Sequence, residues 1–125
     1  MGGVYAYMKL TYQRYRFTLE AFNEIKKHYG RSKFFRDDVK LHVLFNPDDK
    51  DFGWFSTYKG PEIFVNYATC TRMKQVIGTL IHEYQHYLQS PAQYSIQEQR
   101  YTYENHPYEK MANKIAKRDL HLFID

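Results

Sequence analysis

Residues 82–86 read His82-Glu83-Tyr84-Gln85-His86. Two histidines four apart on a helix lie about 40° apart around its axis and one turn apart along it, so both imidazoles reach one metal ion. Glu83 follows His82 directly and projects to the side of the pair. From there its carboxylate can bond to a water on the metal without ligating the metal itself. A hydrolytic zinc site needs this division of labour: the ion lowers the pKa of the water towards about 7 and a carboxylate takes its proton. The expectation is a Zn2+ site with His82 and His86 as ligands and Glu83 as general base.

The pentapeptide needs a helix to carry it. Residues 72–89 have that pattern, with Ile77, Leu80, Ile81, Tyr84, Tyr87 and Leu88 on one broad apolar face. Thr69 or Thr71 is expected as its N-cap, and Ser90-Pro91 as its end. The face bearing the histidines also carries Gln75, Gly78, Thr79 and Gln89, small or polar residues suited to a cleft. Upstream, residues 10–29 keep helical spacing until Gly30. Residues 39–46 alternate as a strand before the turn Asn46-Pro47-Asp48-Asp49, and residues 52–59 and 62–68 read as a hairpin around Lys59-Gly60-Pro61. Residues 91–104 are polar and tyrosine-rich without a clear period. They read as a loop with room for a short helical piece. Residues 107–122 resume helical spacing, and Pro107 suits a first helical position. Helix, three strands, helix, helix makes an α+β domain, expected as one unit over residues 1–125.

A catalytic zinc needs a third protein ligand and an open fourth position. Downstream lies Asn105-His106-Pro107-Tyr108-Glu109-Lys110-Met111-Ala112-Asn113. With the pentapeptide helix, this segment resembles the zincin metallopeptidases, most closely their glutamate-ligand branch, the gluzincins. The resemblance covers roughly residues 62–122. It implies a minimal zincin-like core with a three-stranded, mostly antiparallel sheet and a C-terminal ligand helix. It also implies Glu109 as third ligand, 22 residues separating it from His86. His106 is the alternative and would resemble the SprT-like branch; Glu104 is a further candidate. Asn113 stands where the family has Asp and is expected behind a zinc histidine, orienting it through its side-chain oxygen. Tyr103 or His106, with Tyr101 and Tyr108 as further candidates, would donate to the oxyanion of the attacked carbonyl. Residues 63–67 are expected as an edge strand that takes extended peptide by strand addition.

Length allows one domain with one core, and 43% hydrophobic residues make it globular rather than disordered. The formal charge is +4. Between residues 14 and 36, Arg14, Arg16, Lys26, Lys27, Arg31, Lys33 and Arg36 face only Glu20 and Glu24, which raises a nucleic-acid or other anionic partner as a weaker expectation. One cysteine, Cys70, excludes an internal disulfide. The start has no basic segment followed by an apolar run, and no apolar stretch reaches 18 residues, so a cytoplasmic protein is expected. The activity expected is peptide-bond hydrolysis on a protein or peptide substrate. The alternatives are a zinc-retaining binding or assembly module and an amidase of the same chemistry.

Overall fold

The computed structural model describes residues 8–125. The chain runs α1 (Tyr12–Tyr29), β1 (Lys40–Leu44), β2 (Gly53–Ser56), β3 (Glu62–Asn66), α2 (Met73–Leu88), α3 (Pro91–Arg100) and α4 (Pro107–Asp119), with 3-10 turns at Tyr103–Asn105 and Leu120–Leu122. The fold class is α+β, as the sequence indicates.

Thr11 caps α1 by accepting from the Arg14 N–H, and Gly30 ends it at a φ of 80°, where a side chain would be strained. The cap of α2 differs from the expectation. Its N-cap is Arg72, without a side-chain bond, while Gln75 reaches back to accept from the N–H and hydroxyl of Thr71. Thr69 is engaged elsewhere, donating to the Asp49 carbonyl.

The sheet has the order β1-β3-β2. β2 and β3 form the expected antiparallel hairpin, Trp54 opposite Phe64 and Phe55 opposite Ile63. β1 pairs with the far side of β3 and runs parallel to it, so the sheet is mixed rather than mostly antiparallel. The chain leaves β1, crosses to the other side of β3, and only then turns back. The buried Asn66 holds that crossing, its amide donating to the carbonyls of Asn46 and Asp49 and its oxygen accepting from the Asn46 N–H. β3 is therefore the central strand and not an edge. Its Ile63 and Val65 are fully buried, which corrects the expectation that it takes substrate.

α2 is the hub, packed against α1, α4, β2 and β3. Val76, Ile77, Leu80, Ile81, Tyr84 and Tyr87 meet Phe22 and Ile25 of α1 and the inner face of the sheet. Its other face is covered too: Glu83, Gln85 and His86 are buried. The cover includes α3, where a loop was expected. Ser90 caps α3 by accepting from the Gln93 N–H, and Pro91 takes its first turn. α3 has no fully buried residue. It docks through polar contacts, such as Gln97 accepting from the Tyr108 N–H. Hydrophobic periodicity could not reveal such a helix, although the Ser-Pro start signal was present. No helix of the described residues is long and apolar enough to cross a membrane.

Candidate metal centre

α2 delivers His82 and His86 one turn apart, with their Nε2 atoms 3.2 Å from each other. α4 delivers Glu109 from the opposite side. Its Oε1 lies 3.1 Å from His82 Nε2 and its Oε2 lies 3.1 Å from His86 Nε2. Ligand atoms held tetrahedrally at about 2.0–2.1 Å from zinc stand about 3.3–3.4 Å apart. The two imidazoles stand at almost that spacing and each meets one Glu109 oxygen at nearly the same distance, so the residues present fit the ion. Glu83 is also near, and the ligand atoms of His82, Glu83 and His86 all lie within 4.8 Å of one another, close enough to hold a metal ion. Glu83 is nevertheless the weaker third donor, since its carboxylate stops 3.9 Å from His82 Nε2.

Neighbours fix the donors. His86 Nδ1 donates to Gln89 Oε1 at 2.7 Å, which leaves its Nε2 lone pair for the site, and Gln89 is itself anchored by donating to the Tyr108 carbonyl. This is the orienting role expected of Asn113. Asn113 instead sits exposed on α4, beside the cleft, and makes no hydrogen bond to either histidine. Gln89 lies three residues past His86, on the same face of the chain, and that spacing was the available signal.

Tyr94 of α3 is the functional residue that the sequence did not single out. Its hydroxyl donates to Glu109 Oε2 at 2.5 Å and its ring stands edge-on to His86. His106 lies behind it, 1% exposed, with its ring 4.2 Å from that of Tyr94 and its Nε2 donating to the Tyr94 carbonyl. The carbonyl thus holds the nitrogen that would otherwise be offered, and His106 is neither third ligand nor oxyanion donor here. Its Nδ1 is buried without a partner among the described residues. Glu104 and Tyr101 are exposed, and Tyr108 is absent from the cleft wall.

The donors open on a cleft with two lobes. The larger, about 530 Å³, lies between β2 and α3. The smaller, about 390 Å³, continues past Gln75, Gly78 and Thr79 towards Lys117. Asp51, Gly53, His82, Glu83 and Tyr103 line both, so the lobes meet at Glu83. Burial would push the Glu109 carboxyl up, but hydrogen bonds from His82, His86 and Tyr94 hold it well below the usual carboxylate range. Burial likewise opposes charging of His86, yet the bond to Glu109 and the charges of Glu83 and Glu109 raise its pKa. For Glu83 burial dominates over the nearby imidazoles and pushes its pKa up. Burial and the charge of Glu109 push the Tyr103 phenol up to about 12, so it remains a donor at neutral pH.

Three of the seven cations of α1 and the turn after it are paired with carboxylates, and two more donate to carbonyls. Arg16 pairs with Glu20, Lys26 with Asp38 and Lys27 with Glu24, while Arg14 and Arg31 donate to backbone carbonyls. Comparisons with protein-family models, with curated proteins and with solved structures returned no match.

Proposed function

We propose that this chain is a zincin-like zinc metallopeptidase, in which His82, His86 and Glu109 hold the ion and Glu83 serves as general base. The reading rests on one observation: three donor side chains from two helices converge with contacts of 3.1–3.2 Å, with a buried carboxylate beside them in an open cleft. When bound, zinc would supply Lewis acidity, lowering the pKa of a water and polarising a carbonyl.

The residues supply the rest. Gln89 keeps His86 in the tautomer that presents Nε2. Glu83 accepts a proton on its carboxylate, and its raised pKa lets it hold that proton long enough to pass it to a leaving amine. Tyr103 lines both lobes where they meet, and in this reading its phenolic hydrogen is donated to the oxyanion. β2 is an edge strand, and Gly53, Trp54 and Phe55 line the cleft. Its free edge offers main-chain hydrogen bonds to an extended peptide.

The test is Glu83→Gln. Metal analysis should find about one zinc per chain in wild type and variant alike, while peptide hydrolysis by the variant falls by about a hundredfold or more. Activity that survives the substitution, or a wild-type protein that folds normally and binds no zinc, overturns the reading.

A further inference from the structure

Among the α-helices of the described residues, α3 alone buries no residue. It has ten residues, and all are exposed except Tyr94 and Gln97, which are half-buried and one turn apart. Ile96, its largest aliphatic side chain, is 40% exposed. Hydrophobic burial therefore does little to hold α3. A helix of this length is also marginal by itself in water, where about 12–15 residues are needed even for good helix formers. Docking of α3 and its helical state are thus one event.

Two side chains make the dock, and both reach the first turn of α4. The Tyr94 hydroxyl donates to Glu109 Oε2, and Gln97 Oε1 accepts from the Tyr108 N–H at 3.0 Å. His106 adds a third tie, its Nε2 donating to the Tyr94 carbonyl. The start of α4 needs such a partner. Its N-cap, His106, makes no side-chain cap bond, so the acceptor for a free N–H of the first turn comes from α3. Gln89 of the α2 C-cap donates to the Tyr108 carbonyl. The residue before Glu109 is therefore held from α3 at its N–H and from α2 at its carbonyl, while Tyr94 meets the carboxylate itself.

α3 is joined to its neighbours by extended residues, Gln89 and Ser90 before it and Tyr101 and Thr102 after it. Ser90, Pro91, Tyr94, Ser95 and Glu98 form its wall of the larger lobe. Moving α3 outward removes that wall and opens the donors to a bulky substrate. The same movement withdraws Tyr94 from Glu109 and Gln97 from the turn that carries it. We propose that α3 is a lid coupled to the metal: it opens and unravels as a unit well below the cost of global unfolding, and an ion held by His82, His86 and Glu109 keeps it shut through Tyr94 and Gln97. The coupling is reciprocal, since the factor by which docked α3 raises zinc affinity is the factor by which zinc favours docking. The inference rests on the metal centre of the peptidase reading, but it is measured without catalysis.

Amide hydrogen exchange on the wild-type protein, stripped of metal by a chelator and then loaded with zinc, tests the lid. Without metal, the amides of residues 94–100 should exchange about a hundredfold or more faster than those at the centre of α1. Zinc should slow them by about 10- to 100-fold, the range over which an outer contact changes metal affinity. Gln97 bonds to the Tyr108 N–H and not to a metal donor, so a merely structural role would leave the zinc affinity of the folded protein unchanged. Gln97→Leu should instead lower that affinity by about threefold or more, the effect of one hydrogen bond, and speed α3 exchange in the loaded protein. Gln97→Glu keeps an acceptor for the Tyr108 N–H and should restore both. The inference is overturned, with the peptidase reading left standing, by α3 amides no faster than those of α1 in the metal-free protein, by α3 exchange that bound zinc leaves unchanged, or by wild-type zinc affinity in Gln97→Leu. The wild-type comparison decides the matter even where Gln97→Leu does not fold. A wild-type protein that binds no zinc overturns the peptidase reading and the lid's coupling together.

Discussion

His86 and Glu109 are each held by a residue outside the centre, Gln89 and Tyr94, and Tyr94 holds the most. It donates to Glu109, packs against His86, and lends its carbonyl to His106. Removing its hydroxyl frees Glu109 Oε2 to rotate away from the imidazoles. Tyr94→Phe should therefore lower zinc affinity by about 10- to 100-fold, the usual effect of deleting such an outer contact. Competition with a chromophoric chelator measures it, and unchanged affinity would show that α4 alone positions the carboxylate. In the same assay Glu109→Ala should weaken zinc binding far more than His106→Ala. The reverse order would restore His106 as third ligand.

At the scale of elements, the cleft exists because β2 lies directly against α2. Gly53 permits this. A Cβ there would stand 2.3 Å from the Phe64 carbonyl oxygen and 2.7 Å from Thr79 Cγ2. The carbonyl belongs to the central strand and cannot move aside, so Gly53→Ala should destabilise the fold by about 1–3 kcal/mol through overpacking. Gly78 is the contrast. It lies inside α2, lines the smaller lobe, and a Cβ there would meet nothing within 4 Å. Gly78→Ala should stabilise by up to about 1 kcal/mol through helix propensity. Urea denaturation of the two variants separates the effects. A neutral Gly53→Ala would mean that β2 shifts freely, and the cleft geometry would not depend on it.

At the scale of the molecule, the C-terminal part of the chain is tied to α1 by Asp119. Arg118 donates to both its oxygens and the Tyr29 hydroxyl donates to Oδ2 at 2.5 Å. The Arg118 bonds lead in lowering the Asp119 pKa to about 2, against a smaller opposing effect of burial and with help from Tyr29. Its pKa is depressed on folding. Its contribution is therefore complete above the unfolded value of about 3.9 and is lost as pH falls through about 2. Asp119→Asn should be less stable than wild type at pH 5, and the gap should close between about pH 4 and pH 2. A gap independent of pH would show that the tie acts through shape alone. Cys70, 0% exposed and pushed up to about 11 by burial, takes no part in this and should resist thiol reagents until the chain unfolds.

The α+β class, the helix bearing His82, Glu83 and His86, and Glu109 as partner from the last helix were legible in the sequence. Each rests on local rules: helical periodicity, a fixed turn between two imidazoles, and a carboxylate in the first turn after Pro107. Tertiary structure alone decided the remainder. β1 could pair on either side of the hairpin, and only the Asn66 clamp places it parallel to β3 and leaves β2 at the edge beside the cleft. α3 buries little apolar surface, so its pattern was silent, yet it supplies Tyr94 and Glu98. Choosing Glu109 over His106, and Gln89 over Asn113, depended on side-chain direction. Spacing along a chain can bring residues within reach of one point, but which of them points there is settled by what packs behind it.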